Sequence, residues 1–279
     1  MIAVEDLVHV YPGGTRAVDG VSLRIEVGER VAIVGQNGSG KSTLVRHFNG
    51  LLRPTEGRVI VDGVDAATLR VAELAAKVGL AFQDPDRQIF SGKVRSEVAF
   101  GPRNMGLAKD QVASRVDEAL AWAGLSGDAD ANPYDLGYSR RKLLALASIL
   151  AMRTPVVVLD EPTTGQDARG VARVEEIVAG LAELGRTVVA ISHDMAFVAE
   201  SFERVVVMRE GRVILDGAPT KVFAESSWRE LESTYLEPPL PARVGAHMGL
   251  GATPTEASLV AALAGRAGDT DRANRGAET

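Results

Sequence analysis

The chain has 279 residues, 46% hydrophobic but only 5% aromatic, a size and composition that suit one large Ala/Val/Leu-rich α/β domain or a core with a smaller lobe. A formal net charge of −6 argues against nucleic acid as the main partner, and the absence of cysteine excludes disulfides and thiolate metal sites while fitting a reducing cytosol. No apolar run approaches the ~20 residues that cross a bilayer, and Met1-Ile2-Ala3-Val4-Glu5-Asp6 reads as no secretory signal, so work at a membrane is expected to run through a partner.

From the N-terminus, Ile2 to Val10 reads as a strand and Tyr11-Pro12-Gly13-Gly14 as a turn. Val18 to Val27 reads as a second strand, with Val21, Leu23, Ile25 and Val27 at every second position. An antiparallel sheet is expected here, beside the strand that follows. Tyr11 stands where an aromatic face can stack on a nucleotide base, although taken alone it reads first as a packing residue. Val31-Ala32-Ile33-Val34 then runs apolar into Gly35-Gln36-Asn37-Gly38-Ser39-Gly40-Lys41-Ser42-Thr43, and the helical Leu44-Val45-Arg46-His47-Phe48 follows. Strand, glycine-rich turn and helix form the context in which G-x-x-x-x-G-K-[ST] means a phosphate-binding loop. The glycines let backbone N–H groups approach an anion, and the helix N-terminus adds orphan donors. Lys41 can reach the β- and γ-phosphates, and Ser42 can offer its hydroxyl to Mg2+.

Gly50 and Pro54 close this helix. Gly57 to Val61 with Asp62-Gly63 gives a strand and a tight turn, and Leu69 to Ala76 a helix. Val78 to Phe82 is a buried-type strand that delivers Gln83 to a proline turn, Asp84-Pro85-Asp86. From about 93 to 152 helical segments dominate, Lys109 to Ala123 and Ser139 to Met152, as in a helical insertion within an α/β core. Val156 to Leu159 is continuously apolar, the pattern of a parallel strand buried on both faces. Ala168 to Leu184 reads as a helix, Thr187 to Ile191 as another buried strand, and Val205 to Leu215 as a closing hairpin that turns at Glu210-Gly211. Residues 237–279, rich in Pro, Gly and Ala, are expected to form a largely disordered tail with one short helix over Glu256 to Leu263.

Asp160-Glu161 follows the apolar strand. Asp160 is placed to hold Mg2+ through water, and Glu161 to orient and deprotonate an attacking water. His193 ends the next core strand, where a neutral imidazole can donate to a γ-phosphate and sense its loss. The phosphate loop, Gln83, Asp160-Glu161 and His193 all fall at C-terminal ends of core strands, where open α/β sheets bind ligands.

In this order the motifs resemble those of an ATP-binding cassette (ABC) ATPase subunit over about residues 2–236. Tyr11 takes the base-stacking position, residues 35–43 Walker A, Gln83 the Q-loop, residues 156–161 Walker B, Thr164-Gly165-Gln166-Asp167 the D-loop and His193 the switch. The resemblance implies an α/β P-loop NTPase fold with a RecA-like, mostly parallel sheet, an N-terminal antiparallel β subdomain and a helical subdomain. It implies an ATPase using ATP and Mg2+. Glu161, His193 and Lys41 would be catalytic, Ser42, Gln83 and Asp160 would surround the metal, and Tyr11, residues 35–43 and Gln83 would contact the nucleotide. A head-to-tail dimer would bring Gly137 and Ser139 of a second ATPase subunit, identical or different, to the other side of each ATP.

The signature segment departs from the family pattern Leu-Ser-Gly-Gly-Gln, reading Leu136-Gly137-Tyr138-Ser139-Arg140. Gly137 lacks the usual hydroxyl and Tyr138 is bulky; Ser139 can cap the following helix and Arg140 can add charge. A tolerated variant and a weakened site on an asymmetric partner both fit. The run from Gly79 through Gln83 to Ile89-Phe90, the run Glu97 to Leu107, and Leu150-Ala151-Met152 look like the energy-coupling factor (ECF) transporters. That resemblance implies a subunit at the cytoplasmic face of the membrane, docked on an integral membrane T-component that couples to a substrate-binding S-component for a vitamin, cobalt or nickel. Ile89 and Phe90 would be docking anchors or ordinary core residues. The other readings are a soluble ABC ATPase of DNA repair, chromosome organisation or translation, and a degraded cassette, against which Lys41, Asp160, Glu161 and His193 argue.

Overall fold

Burial alternates along Val21–Ile25 and runs unbroken through Val31–Val34, and these two patterns sort the strands into two sheets. The computed structural model of the chain describes residues 1–276. Strands β1 (Ile2–Val10) and β2 (Arg16–Ile25) pair antiparallel, with Ile2 opposite Ile25 and Val4 opposite Leu23. Next come β3 (Arg30–Val34), α1 (Lys41–Phe48), β4 (Glu56–Val61) and β5 (Val64–Asp65). β4 joins the other edge of β1, giving a four-stranded antiparallel sheet in the order β2-β1-β4-β5. β2 stops before Val27, which is 72% exposed: Glu26 and Glu29 close a turn there, and Gly28 adopts φ +79°. The alternation is therefore one step shorter than the sequence suggests.

The chain continues through α2 (Val71–Ala75) and β6 (Val78–Ala81), then three helices, α3 (Val94–Asn104), α4 (Lys109–Trp122) and α5 (Tyr138–Leu150). β7 (Val156–Asp160), α6 (Ala168–Glu183), β8 (Thr187–Ile191), α7 (Met195–Ser201), β9 (Arg204–Arg209) and β10 (Arg212–Gly217) return to the core. The second sheet runs β10-β9-β3-β8-β7-β6, parallel except for the antiparallel edge strand β10. Its central strands split residue by residue between two cores. Val31, Ile33, Val158 and Ile191 face the antiparallel sheet and α1, whereas Ala32, Val34, Val157, Leu159 and Ala190 face the helices. Both faces are covered, so no polar position is tolerated until the strands end, and the first polar side chains emerge together at their C-terminal ends.

Short helices α8 (Pro219–Val222) and α9 (Trp228–Glu232) lead to α10 (Leu240–His247) and α11 (Glu256–Gly276). In the segment expected to be largely disordered, α10 is a helix with no counterpart in the expectation, and α11 begins where the short helix was expected, at Glu256. Pro241 sits in the first turn of α10, where a missing N–H costs nothing, and Ala242 and Gly245 form its buried face. Gly245 lies so close to Thr253 that a Cβ would sit 1.8 Å from its Oγ1, and that hydroxyl donates to Pro241 O at 2.8 Å. The small residues that read as a disordered composition instead permit close approach.

Candidate nucleotide-binding site

The loop after β3 is held by glycine at its two ends. Gly35 adopts φ +146°, where a Cβ would lie 2.1 Å from Met208 O; Gly40 adopts φ +100°, where one would lie 2.2 Å from Ala17 O. The loop therefore threads between β9 and β2 in a path no other residue follows without displacement. Gly38, at φ +82°, has nothing within 4 Å of a Cβ and faces open space. α1 starts at Lys41 with no side chain capping its first turn, and Ser39 Oγ is buried without a hydrogen-bond partner. Uncapped amides and an orphaned buried hydroxyl in one loop fit an anionic ligand.

Lys41 folds back over the loop, donating from Nζ to Gly35 O at 2.6 Å and Gln36 O at 2.9 Å. An ammonium has three N–H donors, so one remains for a phosphate. Burial lowers the Lys41 pKa, and the nearby Glu161 and Asp160 carboxylates push it back up. Ser42 donates to Asp160 Oδ1 at 3.4 Å across the gap between α1 and β7. The pair supplies hard oxygen donors of the kind Mg2+ takes beside phosphates and water. Burial raises the Asp160 pKa, and the Ser42 hydrogen bond opposes that shift.

Glu161 is a non-glycine residue at φ +53°. Its N–H donates to Ile191 O at 2.9 Å, which ties the ends of β7 and β8, and the turn presents its carboxylate sideways. Glu161 Oε2 accepts from His193 Nδ1 at 2.7 Å and from Thr164 Oγ1 at 3.2 Å. This corrects the simple picture of a neutral His193 donating to phosphate. A neutral ring spends its single N–H on Glu161, so donating from Nε2 at the same time requires the imidazolium.

A cleft of about 310 Å³ joins Tyr11, residues 37–43, Gln83, Asp160 and Glu161; Gly35 and Gln36 do not line it but hold Lys41 through their carbonyls. Tyr11 lines the cleft, and its hydroxyl bonds Thr43 Oγ1 at 3.1 Å. Gly137 and Ser139 do not line this cleft. They stand at the start of α5, whose N-cap is Gly137, so Ser139 lies inside the first turn and does not cap it. Its hydroxyl instead meets Gln166 Oε1, and Arg140 pairs with Asp128. Tyr138 lies over Gly165, where a Cβ would be 2.7 Å from its ring. Ile89 is buried in the core at 3% exposure, which removes it as a docking anchor; Phe90, 60% exposed, remains available.

Sequence reasoning missed three residues. Lys142 is buried on α5 and donates to Glu161 O and, at 2.8 Å, to Thr164 O, and burial pushes its pKa down to about 8. Gln88 accepts from Phe82 N–H at 3.0 Å and donates to Ala145 O and Ser148 Oγ, so one amide ties the end of β6 to α5. Arg16 lines the cleft beside Tyr11 and pairs with Asp19 at 2.6 Å. Only Lys142 carried any signal, as a cation entering the apolar run Leu143–Leu146.

A phosphate loop on a doubly covered parallel sheet, with carboxylates at the end of a nearby strand, defines a P-loop NTPase. The ABC transporter family model matches residues 18–164, more than half of the chain, and the chain belongs to that family of ATP-binding, ATP-hydrolysing cassettes. It is 44% identical over 228 residues to the energy-coupling factor transporter ATP-binding protein EcfA of Methanothermobacter thermautotrophicus, covering 81% of this chain and 73% of the relative. Two other relatives named as ABC transporter ATP-binding proteins, 46% and 42% identical, are much longer, and the chain spans 42% and 39% of them. The structure is similar to cbiO1 of Clostridium perfringens, part of the ABC transporter complex cbiONQ, with a TM-score of 0.74 and 39% identity over 89% of this chain and 98% of that one. It is also similar to a dimeric ATP-binding cassette in a post-hydrolysis state with ADP and Pi, with a TM-score of 0.72 and 27% identity over 78% of this chain and 98% of that one.

Proposed function

We propose that this chain is the ATPase subunit of an ECF-type importer for a vitamin or transition-metal ion. It would work at the cytoplasmic face of the membrane with a second ATPase subunit, a T-component and an S-component. Residues 2–236 act as the ATPase domain, with the helical part over about 93–152, and 237–279 as an appendage. ATP lies in the cleft with its base against Tyr11 and its phosphates on residues 35–43. Ser42, Asp160 and Gln83 hold Mg2+, which supplies charge neutralisation of the phosphates when bound. Lys41 contacts the β- and γ-phosphates, Glu161 takes a proton from the attacking water, and His193 positions Glu161 and reads the γ-phosphate. Gly137 and Ser139 face the ATP of the partner subunit. Closure of the dimer moves the membrane helices docked beside Gln83.

The observation that carries the transport reading is an exposed aromatic pair. Phe90 and Phe100 are 60% and 48% exposed and their rings meet edge-to-face at 4.7 Å, Phe90 on the segment after the Gln83 turn and Phe100 on α3. An aromatic pair of this kind is an anchor for a partner's apolar helix. The relatives named as ECF and cbiONQ components support the choice of partner. Purification of the tagged chain from membranes, with mass spectrometry, tests it. A T-component and a second ATPase should be recovered, and Phe90→Asp should lose both. Recovery of ribosomes or DNA alone would contradict the reading.

A further inference from the structure

A second cavity, about 350 Å³, lies at the opposite end of the parallel sheet from the nucleotide cleft. α4 contributes Arg115, Glu118 and Trp122, the end of α5 Ile149 and Arg153, and α6 with its following turn Leu181, Leu184 and Arg186. It thus bridges the helical segment and the core. Trp122 forms the floor by lying on Gly180 of α6, where a Cβ would be 3.1 Å from the indole. On a chain of net charge −6, this lining sets three guanidiniums against one carboxylate. Glu118 pairs with Arg153, and Arg115 donates to Met152 O at 3.1 Å. Arg186 makes no side-chain hydrogen bond or ion pair among the described residues. Burial first, and then the neighbouring Arg153 and Arg186 charges, lower the Arg115 pKa, against the opposing Glu118 carboxylate. Arg153, which lines the cavity, holds φ +55°, a conformation that favours glycine.

We propose that this cavity binds a small amphipathic anion, a carboxylate or phosphate on an aromatic or short aliphatic body. The body rests on Trp122, Ile149, Leu181 and Leu184, and the head meets Arg186 and Arg153. A volume of about 350 Å³ fits a compact ligand of this class and not an extended chain.

The chain has two tryptophans, so Trp228→Phe leaves Trp122 as the sole emitter. Phenyl phosphate and octanoate are titrated against this variant, with benzyl alcohol, inorganic phosphate and anionic phospholipid vesicles beside them. Calorimetry on the unaltered chain gives the affinities independently. Both organic anions should change the emission saturably. Arg186→Gln and Arg153→Gly, the latter suited to φ +55°, should each weaken binding at least ten-fold while basal ATP hydrolysis stays unchanged. Four results would overturn the proposal: no saturable response, equal affinity for benzyl alcohol, arginine variants that bind as before, or a response to vesicles alone.

Discussion

Glu161 is the base in the proposed mechanism, and its neighbours show how its position is made. The backbone bond to Ile191, the φ of +53° and the contacts from His193 and Thr164 hold Glu161 in the lining of the cleft. His193→Ala removes the 2.7 Å contact without touching the phosphate loop, so turnover should fall by about 10²–10⁴-fold with ATP affinity nearly kept, as steady-state kinetics beside nucleotide-binding titration would show. Gly40→Ala acts on the other wall. A Cβ at φ +100° and 2.2 Å from a backbone oxygen should cost roughly 1–3 kcal/mol in urea denaturation and abolish ATP binding. At this scale the sequence was most readable where chemistry demands a fixed local pattern. The loop from Gly35 to Thr43 and the pair Asp160-Glu161 declare themselves because strand, turn and helix are contiguous. Gln88 and Lys142 do not, because their partners lie 57 and 19 residues away and only packing brings them together.

Among the elements, α5 links the signature segment to the catalytic strand. Its Lys142 bonds carbonyl oxygens of Glu161 and Thr164, Ser139 meets Gln166, and Tyr138 covers Gly165. These contacts join the start of α5 to the loop carrying Glu161. Lys142 also leaves a measurable mark on stability. Burial pushes its pKa from 10.5 down to about 8, so below pH 8 it is charged both folded and unfolded, and the folded state bears the cost of burying that charge. Between pH 8 and 10.5 the unfolded chain binds more protons, and this contribution makes stability rise with pH. Urea denaturation should show wild type gaining roughly 2 kcal/mol relative to Lys142→Met across that window. Element types and most of their positions were legible because periodicity reflects two-sided burial of the parallel strands and one-sided burial of the N-terminal sheet. Of the C-terminal helices, the start of α11 at Glu256 was legible, whereas α10 was not, because a Pro/Gly/Ala composition does not distinguish close packing from disorder.

The whole molecule is a P-loop core with the proposed catalytic groups at one end of the sheet, an exposed aromatic pair formed by Phe90 and Phe100, and a cationic cavity at the other end of the sheet. The C-terminal helices belong to stability more than to chemistry. α10 and Phe223–Glu225 wall one cavity, well away from the residues of the nucleotide cleft. Truncation after Leu236 should cost about 1–3 kcal/mol of unfolding free energy while ATP hydrolysis persists. Nothing in the chain's own cleft supplies the signature segment, so activity should rise with protein concentration until the dimer saturates.

The central claim is that the cleft hydrolyses ATP with Glu161 as the base, and the most direct test measures turnover and ATP affinity together in Glu161→Gln. Turnover should fall by at least about 10²-fold while ATP binds within a few-fold of wild type; hydrolysis at the wild-type rate would contradict the account.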